Sequence, residues 1–139
     1  MRVTLLLSDA AQVDGNGKVH LLGGGWSVTT SPLGGFSVVL LIAVGWNETN
    51  QPHVALLRLE DADGRTVAFQ AADGTSSPVS QEHRFEVGRP SGLPEGSSVD
   101  VPLVVSFGPG MPLPTGRYLW RVEIDGATAE PWSLPFVVR

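Results

Sequence analysis

Three side chains have the chemistry for proton transfer or metal ligation near neutral pH: His20, His53 and His83. They are spaced about thirty residues apart, and no pair has the close spacing of a typical zinc site. Each reads as a structural histidine on its own strand or loop. The runs Asp61-Ala62-Asp63-Gly64 and Asp14-Gly15-Asn16-Gly17 resemble the start of a calcium loop. An EF-hand needs a bidentate Glu at its twelfth position. That position is Ala72 counted from Asp61 and Gly25 counted from Asp14. Both runs therefore read as hairpin turns, where Asp, Asn and Gly supply the unusual backbone angles. Gly23-Gly24-Gly25-Trp26 lacks the Lys-Ser/Thr and the following helix of a phosphate loop. It reads as a strand break where backbone passes close to a neighbour, with Trp26 tucked in or anchored to a partner. No Gly-x-Ser-x-Gly elbow occurs. The carboxylate pairs Glu60-Asp61 and Glu82/Glu86 belong on strand exteriors or turns. No catalytic residue, cofactor motif or metal motif emerges, and a non-enzyme is expected.

Composition narrows the classes further. A length of 139 residues fits a single domain, 1–139, able to bury a core without staples. The absence of cysteine removes disulfide frameworks and Cys-based zinc or redox sites, and is compatible with the cytoplasm. A net charge of −5 with scattered basic residues argues against nucleic acid as a partner. The opening Met1-Arg2-Val3-Thr4-Leu5-Leu6-Leu7 has too short an apolar run for a secretory core and reads as a first strand. No stretch approaches the ~20 apolar residues of a membrane helix. A cytoplasmic protein off the membrane is expected.

The elements that must position these residues have a period of two. Tyr118, Trp120, Val122 and Ile124 fall on one face of a strand; Arg117, Arg121 and Glu123 fall on the other. Asp125-Gly126 signals a two-residue turn. A simple two-residue hairpin would aim Trp132, Leu134 and Phe136 at the wrong side. The register therefore predicts a three-residue loop or a bulge near Pro131, with Trp120 opposite Trp132 and Tyr118 opposite Leu134. Pro131 and Pro135 suggest an edge strand. Val3, Leu5 and Leu7 mark a first strand, and Val13 and Val19 flank a hairpin. Val54–Asp61 and Arg65–Gln70 predict a hairpin around Ala62-Asp63-Gly64, in which Leu57 and Leu59 match Val67 and Phe69. Residues 71–80 read as a polar loop. Strands over 82–87 and 99–107 complete about nine short strands with Gly/Pro turns and no helical period. The pattern predicts an all-β, immunoglobulin-like antiparallel sandwich. Pro114-x-Gly116-x-Tyr118 supports it, because a tyrosine corner opens the penultimate strand of such folds.

The most apolar segment is Phe36–Trp46. Phe36, Val38, Leu40, Ile42, Val44 and Trp46 lie on one face; Val39, Leu41 and Ala43 lie on the other. A strand apolar on both faces is normally covered on both. Either the chain's own loops or a second subunit must cover Val39 and Leu41. Trp26 and Trp46 lie at strand ends and could together form an aromatic platform for a sugar or peptide; the alternative is core closure. Trp26, Val39, Leu41 and Trp46 are thus the candidate partner contacts.

The segment Leu6 to Trp26, with Asp9-Ala10-Ala11, Gly17-Lys18 and Gly24-Gly25-Trp26, resembles the opening of a family of small uncharacterised bacterial β-sandwich proteins. Gly116, Tyr118, Asp125 and Gly126 match the end of that family. The resemblance implies a stand-alone β-sandwich and supplies no activity and no catalytic residues. Together these readings lead to a non-enzymatic protein–protein interaction or structural domain, self-associating as a homo-oligomer or part of a larger assembly. The alternatives are a small-ligand or carbohydrate-binding module using Trp26 and Trp46, and a decoration protein of a virion or particle.

Overall fold

The computed structural model describes all 139 residues, and its regular structure is β throughout apart from one 3-10 turn at Trp46–Glu48. Twelve strands form, where the sequence pattern predicts about nine. They are β1 (Arg2–Ser8), β2 (Ala10–Val13), β3 (Val19–Leu22), β4 (Val28–Thr29), β5 (Phe36–Gly45), β6 (His53–Glu60), β7 (Ala68–Gln70), β8 (Ser76–Pro78), β9 (Ser80–Phe85), β10 (Ser98–Phe107), β11 (Gly116–Ile124) and β12 (Ser133–Val138). Two larger sheets run in the orders β1-β5-β10 and β4-β12-β11-β6-β9. Two ribbons, β2-β3 and β7-β8, stand apart from them.

Alternation decides which side of each sheet is buried. Val3, Leu5 and Leu7 of β1 and Val38, Leu40, Ile42 and Val44 of β5 meet Ala55, Leu57 and Leu59 of β6 and Tyr118, Trp120, Val122 and Ile124 of β11 in one core cluster. An aromatic group seals one end of it. Trp120 lies 5.3 Å from Phe107, 6.1 Å from Phe36 and 6.4 Å from Phe136, centroid to centroid, so rings from both sheets interlock. The Tyr118 hydroxyl donates to the Pro114 carbonyl at 2.6 Å, the bond anticipated from Pro114-x-Gly116-x-Tyr118.

The C-terminal hairpin reconciles turn chemistry with hydrophobic register. Asp125 (φ 53) and Gly126 (φ 82) form the two-residue turn, closed by the Ala127 N–H on the Ile124 carbonyl at 3.0 Å. The chain then takes up extra residues in a second turn, where the Trp132 N–H bonds the Ala129 carbonyl at 2.9 Å. The irregularity near Pro131 is therefore present, and it is longer than a single bulge. Tyr118 pairs with Phe136 and Trp120 with Leu134, two residues beyond the expected register but on the expected face. β12 is also not an edge: β4 pairs in parallel with it at Val137 and Val138. Pro135 precedes that paired stretch, so its missing N–H costs no ladder bond.

The central hairpin holds at its neck and then departs from expectation. The Asp61 N–H bonds the Arg65 carbonyl at 2.8 Å, and the Val67 N–H bonds the Leu59 carbonyl at 2.8 Å. Beyond Val67 the chain leaves β6, which pairs instead with β9, so Leu57 faces Gln81. Residues 68–78 fold on themselves as the β7-β8 ribbon, closed by a second Ala-Asp-Gly loop at Ala72–Gly74 in the stretch read as a polar loop.

Trp120→Ala is expected to cost ~3–5 kcal/mol by chemical denaturation, because it empties a fully buried site. Tyr118→Phe, which removes one hydrogen bond and no ring, is expected to cost only ~0.5–1.5 kcal/mol. Equal losses would contradict the aromatic seal.

Candidate interaction surfaces

The four candidate contact residues are not brought together. Trp26 packs edge-on against Phe36 at 6.0 Å and Phe136 at 6.3 Å, at the start of β5. Trp46 follows Gly45 at the other end of β5. A ten-residue strand rising ~3.3 Å per residue puts them ~30 Å apart, so they form no joint platform. The Trp46 indole N–H donates to the Leu93 carbonyl at 3.1 Å, and the Arg89 guanidinium lies 3.4 Å from its ring centroid. Val39 is 0% exposed and offers no free surface. After Ser8 the chain bends at Asp9, and β2 crosses onto β5 and β10, so cover comes from the chain itself. Below this crossing, the Ser37 and Ser106 hydroxyls bond each other at 2.8 Å. Leu41 is half-buried and lines a small hollow of about 260 Å³ with Arg2, Thr4, Ala43 and Asp100.

The ribbon that crosses the sheet is itself left open. Its register pairs Ala10 with Leu22, Gln12 with His20 and Val13 with Val19. Leu21 and Leu22 are adjacent in a strand, so they cannot both turn to the sheet. Leu22 is 72% exposed on the outward face. The large hydrophobic side chains left exposed are Val13, Leu21 and Leu22 on this ribbon, and Val28 and Val137 on β4 and β12. The Gly23–Ser27 stretch joins the two groups. The sequence reading missed them because strands of two to four residues give too little alternation to assign faces. The Leu21-Leu22 pair was the available signal.

A cleft of about 590 Å³ is walled by Gly23–Trp26, Val28, Thr29 and Leu33–Phe36. Asp9 is the one charged residue lining it. A Cβ on Gly23 would stand 2.1 Å from Asp9 Oδ2, and Gly23 has φ +60, so this is the close backbone approach that the glycine run predicts. The Asp9 N–H bonds the Leu22 and Gly23 carbonyls at 3.0 and 3.2 Å, and the Gly25 N–H bonds the Leu7 carbonyl at 2.8 Å. The Trp26 indole N–H is buried and meets no acceptor in the chain.

Several ionisable residues elsewhere are engaged with one another. On the outer face of the five-stranded sheet, Glu60 accepts from Arg121 Nε at 2.9 Å and from Arg58 Nε at 3.0 Å, while Arg58 also pairs with Glu123. Burial raises the Glu60 pKa, but the bonds to Arg121 and Arg58 outweigh it and hold the carboxyl below its usual range. Asp14 Oδ1 accepts the Asn16 and Lys18 N–H groups, and Asp61 Oδ1 accepts those of Asp63 and Arg65, as hairpin turns require. The His20 ring bonds Asp14 at 2.8 Å, and His83 Nε2 is buried without a partner. His53 is buried between Asp125 and the Glu48 carbonyl.

The fold and these surfaces define an all-β chain of two larger sheets sharing one core, with exposed apolar side chains on the β2-β3 ribbon and on β4 and β12, and a glycine-walled cleft. The profile of a family of unknown function, DUF6941, matches residues 3–139. The chain belongs to that family, as the Asp-x-Ala opening and the Gly-x-Tyr strand suggested. No curated protein and no solved structure matches it. No helix is long and apolar enough to cross a membrane.

Gly23→Ala is expected to cost ~1–2 kcal/mol, from the left-handed backbone, and to displace the Asp9 carboxylate. Gly34→Ala, whose Cβ meets nothing within 4 Å, is expected to change stability by less than ~0.5 kcal/mol. Thermal melts of the two variants check the contrast.

Proposed function

We propose that this chain is a non-enzymatic, cytoplasmic protein–protein interaction domain, an immunoglobulin-like sandwich that self-associates or joins a larger assembly. Its contact surface is the β2-β3 ribbon. The carrying observation is that Leu22, 72% exposed, stands out among the exposed large hydrophobic side chains, and that Val13 and Leu21 are exposed on the same ribbon. Scattered apolar residues are ordinary on a protein surface; several exposed on one ribbon of four-residue strands are more than that, and support a contact site. The sheet's outer face around Glu60 is already satisfied by its own ion pairs and makes a poor alternative. The immunoglobulin-like reading draws support from the Tyr118–Pro114 bond.

Analytical ultracentrifugation over a range of protein concentrations tests the proposal. The wild type is expected to gain mass with concentration, and Leu22→Asp to remain a monomer with an unchanged melting temperature. A wild type that is monomeric throughout would remove self-association. A Leu22→Asp protein that associates as before would remove the ribbon.

The cleft favours a second reading, a small-ligand or carbohydrate site using Trp26 alone. Its support is one carboxylate, Asp9, and one indole on a wall opened by glycines, a combination suited to hydroxyl-rich ligands. Titration of a glycan panel against tryptophan fluorescence is expected to change the emission of the wild type and not of Trp26→Phe. No change with any glycan would dismiss it.

A further inference from the structure

We propose that His53 is a proton-operated latch, which when doubly protonated ties the Trp46–Glu48 turn to the Asp125 hairpin turn and when it loses a proton releases the first of them. The inference rests on what its two ring nitrogens face. Nδ1 lies 2.6 Å from Asp125 Oδ2, and Nε2 lies 2.7 Å from the Glu48 backbone carbonyl. A carboxylate at its ordinary charge and a carbonyl can only accept hydrogen bonds. Both nitrogens must therefore carry hydrogen, which only the imidazolium does. Neutral histidine can serve one acceptor and turns a lone pair on the other. The charged Asp125 is the stronger acceptor, so the Glu48 carbonyl is the one abandoned.

The other charged groups around the ring do not replace these partners. The Glu48 carboxylate is held by the Met1 amino group at 3.2 Å and by the Gly45 N–H at 3.2 Å. From β9 the ring receives Phe85, stacked at 5.3 Å, while Glu82 and Arg84 on that strand face each other at the surface, 3.8 Å apart. Arg89 stands on the far side of the turn, bonding the Trp46 carbonyl at 2.6 Å and Thr49 Oγ1 at 3.0 Å. Asp125 Oδ1 is anchored by the Val54 N–H at 2.9 Å. Burial disfavours the charged ring, but the bonds to Asp125 and to the Glu48 carbonyl outweigh it, and the His53 pKa is raised. The latch is thus closed below that raised value and opens as pH rises through it. Opening removes the His53 tether from the turn that carries Trp46, leaving that turn held by its bonds to Leu93 and Arg89.

Long-range 1H–15N spectra of the histidine rings, followed with the Trp46 indole resonance through a pH titration of the whole chain, test the latch. In the wild type, His53 is expected to be doubly protonated at pH 6, to titrate above the ordinary ~6.5, and to move the Trp46 resonance at the same midpoint. Asp125→Asn keeps an acceptor and suits the φ of 53 at that position. It is expected to lower the midpoint by about one pH unit or more, with the Trp46 resonance following. A His53 ring that is neutral at pH 6, a Trp46 resonance that ignores its titration, or a midpoint unmoved in Asp125→Asn would each overturn the proposal.

Discussion

The structure depends on rings from two sheets closing on one another. Phe36 from β5 and Phe107 from β10 stack at 5.0 Å, and Trp120 from β11 meets both across the core with Phe136 from β12 stacked on it. Neither sheet could hold these rings alone, since each would expose several large apolar faces to water. The C-terminal hairpin takes on an extra turn so that Trp120, Leu134 and Phe136 keep the inward face, because burying side chains of this size outweighs the preference for a regular hairpin.

The polar surface divides along the same line. On the outer face of the five-stranded sheet, arginines and glutamates neutralise one another, and Glu60 is buried among them. On the other sheet a ribbon from the same chain covers Val39 and leaves Leu22 in water. The cover needed by an apolar strand is thus supplied within the chain, and the unmet apolar surface has moved outward by one layer. A second copy or partner would meet the ribbon, not β5.

What the sequence made legible was parity. Tyr118, Trp120, Val122 and Ile124 are inward as their spacing requires, and both Asp-Gly-type turns at Asp61 and Asp125 form where their residues demand. The tyrosine corner was visible because Pro, Gly and Tyr occupy fixed offsets. Pairing between distant segments was not legible. Nothing local says that β9, and not residues 68–70, continues beside β6, or that β4 joins β12 in parallel. Those choices are made by packing around the core, which no short window contains. The positions of the four candidate contact residues relative to one another were hidden for the same reason. Val39 looked unpartnered because the crossing of β2 is a tertiary event, and Trp26 and Trp46 looked alike although β5 separates them. His53 gave no signal at all, since its partners Glu48 and Asp125 come from a neighbouring turn and a distant hairpin.

Amide hydrogen exchange at low and high protein concentration bears most directly on the central claim, that the core is complete within one chain and the ribbon is its contact surface. The account requires β5 and β11 to be strongly protected at both concentrations, and protection over residues 10–22 to rise at the higher one. Strand β5 gaining protection only on concentration, with residues 10–22 indifferent, would contradict it.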